Sequence, residues 1–157
     1  MTRAPNVKEL MSTHIMTVAD DMTADDLARY LIEHEISGAP VVDDQGHLVG
    51  VVSMTDIGRN VAEPAQAGSS GEPGFYRDDA PEVTLEDLGQ RYVEERAVLV
   101  RDVMTAAVRQ VKVTASVAEV ARLMVEQHIH RVVVTKENEP VGIITSMDLL
   151  KWVADQA

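Results

Sequence analysis

Cysteine is absent from the chain, which excludes disulfides, thiolate nucleophiles and sulfur-ligated zinc and suits a reducing compartment. Aromatic residues make up only 3% of it, with a single Phe and a single Trp, so Val, Ala, Leu, Ile and Met must fill the interior. Positive charge is scarce: 14 Lys and Arg stand against 26 Asp and Glu, a formal net charge of −12. No cluster of basic residues is available for a nucleic-acid backbone or an anionic bilayer. Any anionic ligand must then be held by local dipoles and a few placed cations. Long uncharged apolar runs are missing, and the opening MTRAPNVKELMSTH lacks the apolar stretch of a secretory leader. A soluble, cytoplasmic protein is expected, with neither nucleic acid nor membrane as partner.

What the chain does have is an ordinary apolar share, 45% of 157 residues, enough to build one domain or two small ones that lean on each other. It also has an internal repeat. VKELMST at 7–13 matches VRDVMTA at 100–106, with Met11 and Met104 standing 93 positions apart. The same spacing relates Val18 to Val111, Ala28 to Ala121, Glu33 to Glu126 and Ile36 to Ile129. One residue is then lost between VVDDQGHLVG and VVTKENEPVG, so that Gly50 and Gly142, like Asp56 and Asp148, stand 92 apart. A turn tolerates such a change in length.

Each copy predicts the order β-α-β-β-α behind a short lead-in turn. The first helix has a hydroxyl N-cap with an acid three residues on, Thr23 with Asp26 and Ser116 with Glu119. Its buried stripe is Leu27, Ala28 and Leu31 in the first copy, and Val117, Val120, Ala121 and Met124 in the second. Two β-branched runs follow, separated by the turn residues DDQG or KENE, as in a hairpin. These runs do not alternate, so they should be covered on both faces. Apolar residues also lie off the helical stripes (Tyr30, Ile32, Leu123, Val125), more than a unit of about fifty-five residues buries alone. The expected fold class is α/β (α+β), two copies packed about a pseudo-twofold axis and assembled further into a homodimer.

Domain boundaries are expected at 1–61 and 100–157, with an insertion over 62–99. That insertion opens with the Gly-, Pro- and Ser-rich AEPAQAGSSGEPG and continues into a helix predicted near 84–97, capped by Thr84. Phe75 and Tyr76 inside it are the chain's only adjacent aromatics. They suit either a cover over a cleft or a small satellite core.

The two copies share one further feature, GVVSMTDI at 50–57 and GIITSMDLL at 142–150. Ser53 and Thr145 end a strand, and Asp56 and Asp148 follow three residues later. That spacing is a capping box. It is also an arrangement with chemical capability. A strand-to-helix turn presents free amides and a positive helix end, which suits a phosphate. A carboxylate one turn in accepts from both hydroxyls of a ribose cis-diol. Spacing alone does not separate the two uses.

These stretches, with HEISGAPVVDDQGHLVGVVSMTDI and QHIHRVVVTKENEPVGIITSMDLL, resemble a tandem pair of CBS domains, the Bateman module, over about residues 7–61 and 100–153. The resemblance implies a non-catalytic sensor or regulator, usually a dimer, that binds AMP, ADP, ATP, S-adenosylmethionine or an NAD-type molecule in clefts between the repeats. It implies roles by position. Asp56 and Asp148 take the ribose diol, Ser53 and Thr145 lie near ribose and phosphate, and Thr55 adds a hydroxyl where the second copy has Met147. Ile36, Ser37, Gly38 and Pro40 line the base, as do Ile129, His130 and Arg131 in the second copy, where Val133 replaces a proline frequent in the family. His130 and Arg131 match a basic pair that reaches phosphates, and Thr17–Val18 and Gln110–Val111 fall where the first strand meets the base.

The alternative is a constitutive dimeric interaction module with empty clefts, docking an unidentified protein. An enzyme is not expected, since no nucleophile–base set, P-loop lysine or metal-ligand spacing is present. His128 and His130 alone make a poor metal site, and Met11, Met104 and Met124 read as core fillers.

Overall fold

The computed structural model describes residues 3–62, 74–76 and 98–157; the helix expected near 84–97 lies outside them. Elements run α1 (Val7–Leu10), β1 (Val18–Ala19), α2 (Ala24–Glu33), β2 (Gly38–Val42), β3 (Leu48–Ser53) and α3 (Met54–Ala62). A single 3-10 turn (Gly74–Tyr76) is followed by α4 (Val100–Val103), β4 (Gln110–Lys112), α5 (Val117–Gln127), β5 (Arg131–Lys136), β6 (Glu139–Thr145) and α6 (Ser146–Asp155). Both copies therefore have the expected β-α-β-β-α order. Each has a three-stranded sheet, β1-β2-β3 or β4-β5-β6, whose first pair is parallel and second antiparallel. A parallel pair needs a crossover, which α2 and α5 supply.

The amphipathic stripes predicted from sequence are the buried faces, except that Ala121 is only half-buried. Leu27, Ala28 and Leu31 of α2 join Val18, Ala39, Val41, Val52, Met54, Ile57 and Val100 in one core. Val117, Val120 and Met124 of α5 are buried likewise, together with Ile129, Val132, Val133, Val134 and Ile144. Caps differ in detail. Ser116 and Glu119 close a full reciprocal box, Ser116 N donating to Glu119 Oε2 at 2.6 Å and Glu119 N to Ser116 Oγ at 3.2 Å. Those bonds to its charged form hold Glu119 below the ordinary carboxylate range. Thr23 makes only the forward half, accepting from Asp26 N at 3.1 Å.

The one-residue deletion lies in the hairpin turn. Val42 pairs with Leu48 across a turn in which Asp43 Oδ1 accepts from Gln45 N and His47 N, both at 2.9 Å. In the second copy Lys136 pairs directly with Glu139, and Glu137 and Asn138 adopt φ of 51° and 64°. Two left-handed residues in succession make a two-residue turn whose twist matches the strands.

The chain divides into compact units that cut across the sequence repeats: Met1–Ile15 with Arg109–Ala157, and Met16–Val108. Within these units α1 packs with the sheet of the second copy and α4 with that of the first. Ser12 bridges Ile143, with N–H···O bonds of 2.9 and 3.0 Å in the two directions. Thr105 bridges Val51 in the same way, at 2.9 Å both ways. Beside these bridges stand Gly50 and Gly142. A Cβ on Gly50 would lie 2.7 Å from Met104 Sδ and 2.9 Å from Thr105 O; on Gly142, 2.6 Å from Met11 Sδ and 2.9 Å from Ser12 O.

Gly50→Ala and Gly142→Ala are each expected to destabilise the protein by about 1–3 kcal/mol through overpacking. Adding Met104→Ala to Gly50→Ala should recover only part of the loss, because the carbonyl of Thr105 remains. Urea unfolding of the single and double variants measures both.

Candidate functional site

The repeated strand-to-helix turn forms in each unit from the same contacts. In the Met16–Val108 unit, β2 and β3 pair in a register that sets Gly38 opposite Ser53. Ser53 ends the strand, fully buried, and Met54 begins α3. Asp56 Oδ2 accepts from Ser53 N at 2.8 Å and from Ser53 Oγ at 3.1 Å, while Asp56 N donates to Ser53 Oγ at 3.4 Å. In the other unit Arg131 stands opposite Thr145. Asp148 Oδ2 accepts from Thr145 N at 2.8 Å and Oγ1 at 3.0 Å, and Asp148 N donates to Thr145 Oγ1 at 3.3 Å. The capping box is therefore real in both copies.

Capping uses only half of each carboxylate. Every hydrogen bond that described residues make to Asp56 or Asp148 falls on Oδ2, so Oδ1 keeps its acceptor capacity. The amides are more committed than the sequence suggests. Met54 N donates to Ser37 O and Ser146 N to His130 O, each at 2.9 Å, and the amides of Asp56 and Asp148 are held by the cap hydroxyls. Among the first three helical amides, those of Thr55 and Met147 alone have no partner among the described residues. The expected set of free amides for a phosphate is thus one N–H per turn, beside one open carboxylate oxygen.

The other expected residues divide into two groups. Ser37 and Gly38 lie at the turn through the Ser37 carbonyl and the Gly38–Ser53 pair, and Thr55, half-buried, is on the first turn of α3. His130, exposed, and Arg131, half-buried, hold the matching places beside Thr145. Further off, Val18 pairs with Val41 and belongs to the core, and Pro40 is buried opposite Val51. Thr17 and Ile36 are half-buried; Ile129 is buried. Gln110 is exposed opposite Val133, and Val111 half-buried opposite Val134.

The two turns are not equally exposed. Asp56 is 7% exposed, whereas Thr145 and Asp148 are half-buried and Met147 is exposed. Burial pushes the Asp56 carboxyl above its usual 3.8, against the bonds from Ser53 and the nearby Arg59 charge, which pull it down. The 3-10 turn carrying Phe75 and Tyr76 packs against β2, β3 and α3, with both side chains fully buried. Among the described residues no group of three or more His, Asp or Glu is placed to hold a metal, and no helix is long and apolar enough to cross a membrane.

A sequence model of the CBS domain matches residues 7–63 and 100–155. The protein MJ1426 of Methanocaldococcus jannaschii is 31% identical over 92% of this chain and 89% of its own length. MJ1404 of the same organism is 30% identical over 95% of this chain, which spans only 32% of that longer protein. Among solved structures, the CBS domain pair of MJ0100, in complex with 5′-methylthioadenosine and S-adenosyl-L-methionine, superposes with a TM-score of 0.67 at 22% identity, covering 98% of this chain and 99% of that one. CBSX2, of Arabidopsis thaliana, in complex with AMP gives 0.68 at 23% identity, over 96% and 97%. The chain belongs to the CBS-domain family and carries a pair of such domains.

A raised carboxyl pKa binds protons more tightly in the folded than in the unfolded state. Its relative stabilisation is complete below the unfolded value of 3.8 and is lost as pH rises through the higher folded value. Wild type should therefore lose stability relative to Asp56→Asn on going upward from pH 3.8, and the difference should level off once the folded carboxyl is ionised. Paired denaturation curves across that range test the sign.

Proposed function

We propose that this chain is a non-catalytic regulatory module that binds an adenosine-containing ligand, of the AMP, ADP, ATP or S-adenosylmethionine class, at its strand-to-helix turns. The observation that carries this is the open Oδ1 of Asp56 and Asp148. The cap fixes each carboxylate through Oδ2 and so preorganises the other oxygen for a sugar hydroxyl. The neighbouring amide of Thr55 or Met147 supplies a donor on the positive side of a helix dipole. The adenosyl compounds in the MJ0100 and CBSX2 crystals support the ligand class. In the second copy Arg131 and His130 stand beside the turn and add cationic character for a phosphate or sulfonium-bearing ligand to be sorted against.

Regulation requires that ligand bind two conformations unequally, and a protein partner would read that difference. The surface suits a second copy of the chain as well. Met147, Leu150 and Val153 of α6 are 55%, 59% and 56% exposed, and Val125 of the adjoining α5 is 73% exposed. A cluster of this size on a small acidic protein favours self-association. A cytoplasmic location accompanies the proposal. The rival, a dimeric docking module that binds no ligand, reads the same bonds as helix caps alone, as at Ser116–Glu119.

Titration calorimetry with AMP, ATP and S-adenosylmethionine tests the ligand. A ligand at about 100 times its Kd stabilises the native state by about 2.7 kcal/mol, so the melting curve should rise, and the Asp56→Ala/Asp148→Ala variant should show neither heat nor shift. Silence of both wild type and Phe75→Ala/Tyr76→Ala toward all of them rejects the proposal in favour of the rival. For the assembly, Leu150→Asp should halve the mass seen by light scattering; an unchanged mass removes α6 from the interface.

A further inference from the structure

Phe75 is the chain's only phenylalanine, and its place in the structure bears directly on one of the two turns. Phe75 and Tyr76 are both 0% exposed, though they belong to a single 3-10 turn within the inserted segment. Their rings meet edge to face, with centroids 5.1 Å apart and an interplanar angle of 87°. The turn packs on β2, β3 and α3, the elements that carry Gly38, Ser53 and Asp56. A Cβ built on Gly38 would lie 3.2 Å from Phe75 Cδ2 and 3.3 Å from Ser53 Cβ. The Phe75 ring thus rests on the bare backbone of Gly38, next to the residue that caps α3.

We propose that Phe75 and Tyr76 are a tethered occupant of the Gly38–Ser53–Asp56 site, so that each chain takes up one adenosine-containing ligand, at the Asp148 turn, until the aromatic pair is withdrawn. This rests on the ligand class proposed above. A flat apolar ring covers backbone as a nucleobase does, and close packing leaves no room for both in one place. Because the pair is covalently part of the chain, it competes with free ligand at a concentration that dilution does not change. The second copy has no glycine to rest a ring on, because Arg131 occupies the register position of Gly38. Its Thr145 and Asp148 stay half-buried, whereas Ser53 and Asp56 are 0% and 7% exposed. Sequence similarity to a binding motif and availability of the site therefore run in opposite directions in the two copies.

The test is the stoichiometry of AMP, ATP and S-adenosylmethionine binding by calorimetry. Wild type should bind one equivalent per chain, lost in Asp148→Ala. Phe75→Ala/Tyr76→Ala should gain a second equivalent, and the further change Asp56→Ala should remove it. Two equivalents on wild type, or no gain in the aromatic variant with any of the three compounds, would overturn the proposal. If wild type binds nothing but the aromatic variant gains one Asp56-dependent equivalent, the occupant stands and ligand binding at Asp148 falls. A measurement on wild type guards against a variant that fails to fold. With ring-labelled phenylalanine, the Phe75 signal should show a nuclear Overhauser contact to the Gly38 α-protons and stay unmoved through the first equivalent of ligand. Absence of the contact, or a shift within that equivalent, overturns the proposal.

Discussion

Each sheet depends on a place where a side chain is missing. Gly50 and Gly142 let a foreign backbone segment and a methionine thioether approach closer than any Cβ permits. The lead-in then pairs with the strand as an extra bridge, at Thr105–Val51 and Ser12–Ile143, and covers backbone groups that an edge strand would leave open. Methionine suits this use because its unbranched thioether fills an irregular gap without strain. Since the lead-in comes from the other sequence copy, neither sheet is completed by its own repeat. A deletion that respected the repeat boundaries would strip each unit of a component.

The same economy governs the turn at the end of β3 and β6. An N-cap aspartate and a ligand-binding aspartate are usually competing explanations for one residue. Here the cap takes one oxygen, Oδ2, and leaves Oδ1 to the proposed ligand role. The helix end is less generous than its dipole suggests, because the residue preceding β2 or β5 claims one amide and the cap another. Under the proposed function, binding at such a turn would favour sugar hydroxyls, which the open carboxylate oxygen accepts, over phosphate oxygens, for which one amide per turn is left.

Duplication has left two turns with the same bonds in different surroundings. Gly38 and Arg131 are equivalent in register, yet one invites an aromatic ring and the other brings charge. Asp56 sits in a dry setting that raises its proton affinity, while Asp148 remains half-open to water.

The order of elements, the buried stripes of α2 and α5, and the hairpin that absorbed a deletion were all written in the sequence, because periodicity, caps and turn residues act over a few neighbouring positions. The reciprocal hydroxyl–carboxylate pairs were legible for the same reason, as Ser53 with Asp56 and Thr145 with Asp148 lie within one helical turn. Only the tertiary structure decided which sheet each lead-in joins, since VKELM and VRDVM are chemically interchangeable and local pattern carries no information about the partner across some ninety positions. It alone decided where Phe75 and Tyr76 go, because an aromatic pair records its appetite for burial but not the surface that satisfies it. And it alone showed which carboxylate oxygen remains open, a matter of bond direction that residue names do not contain.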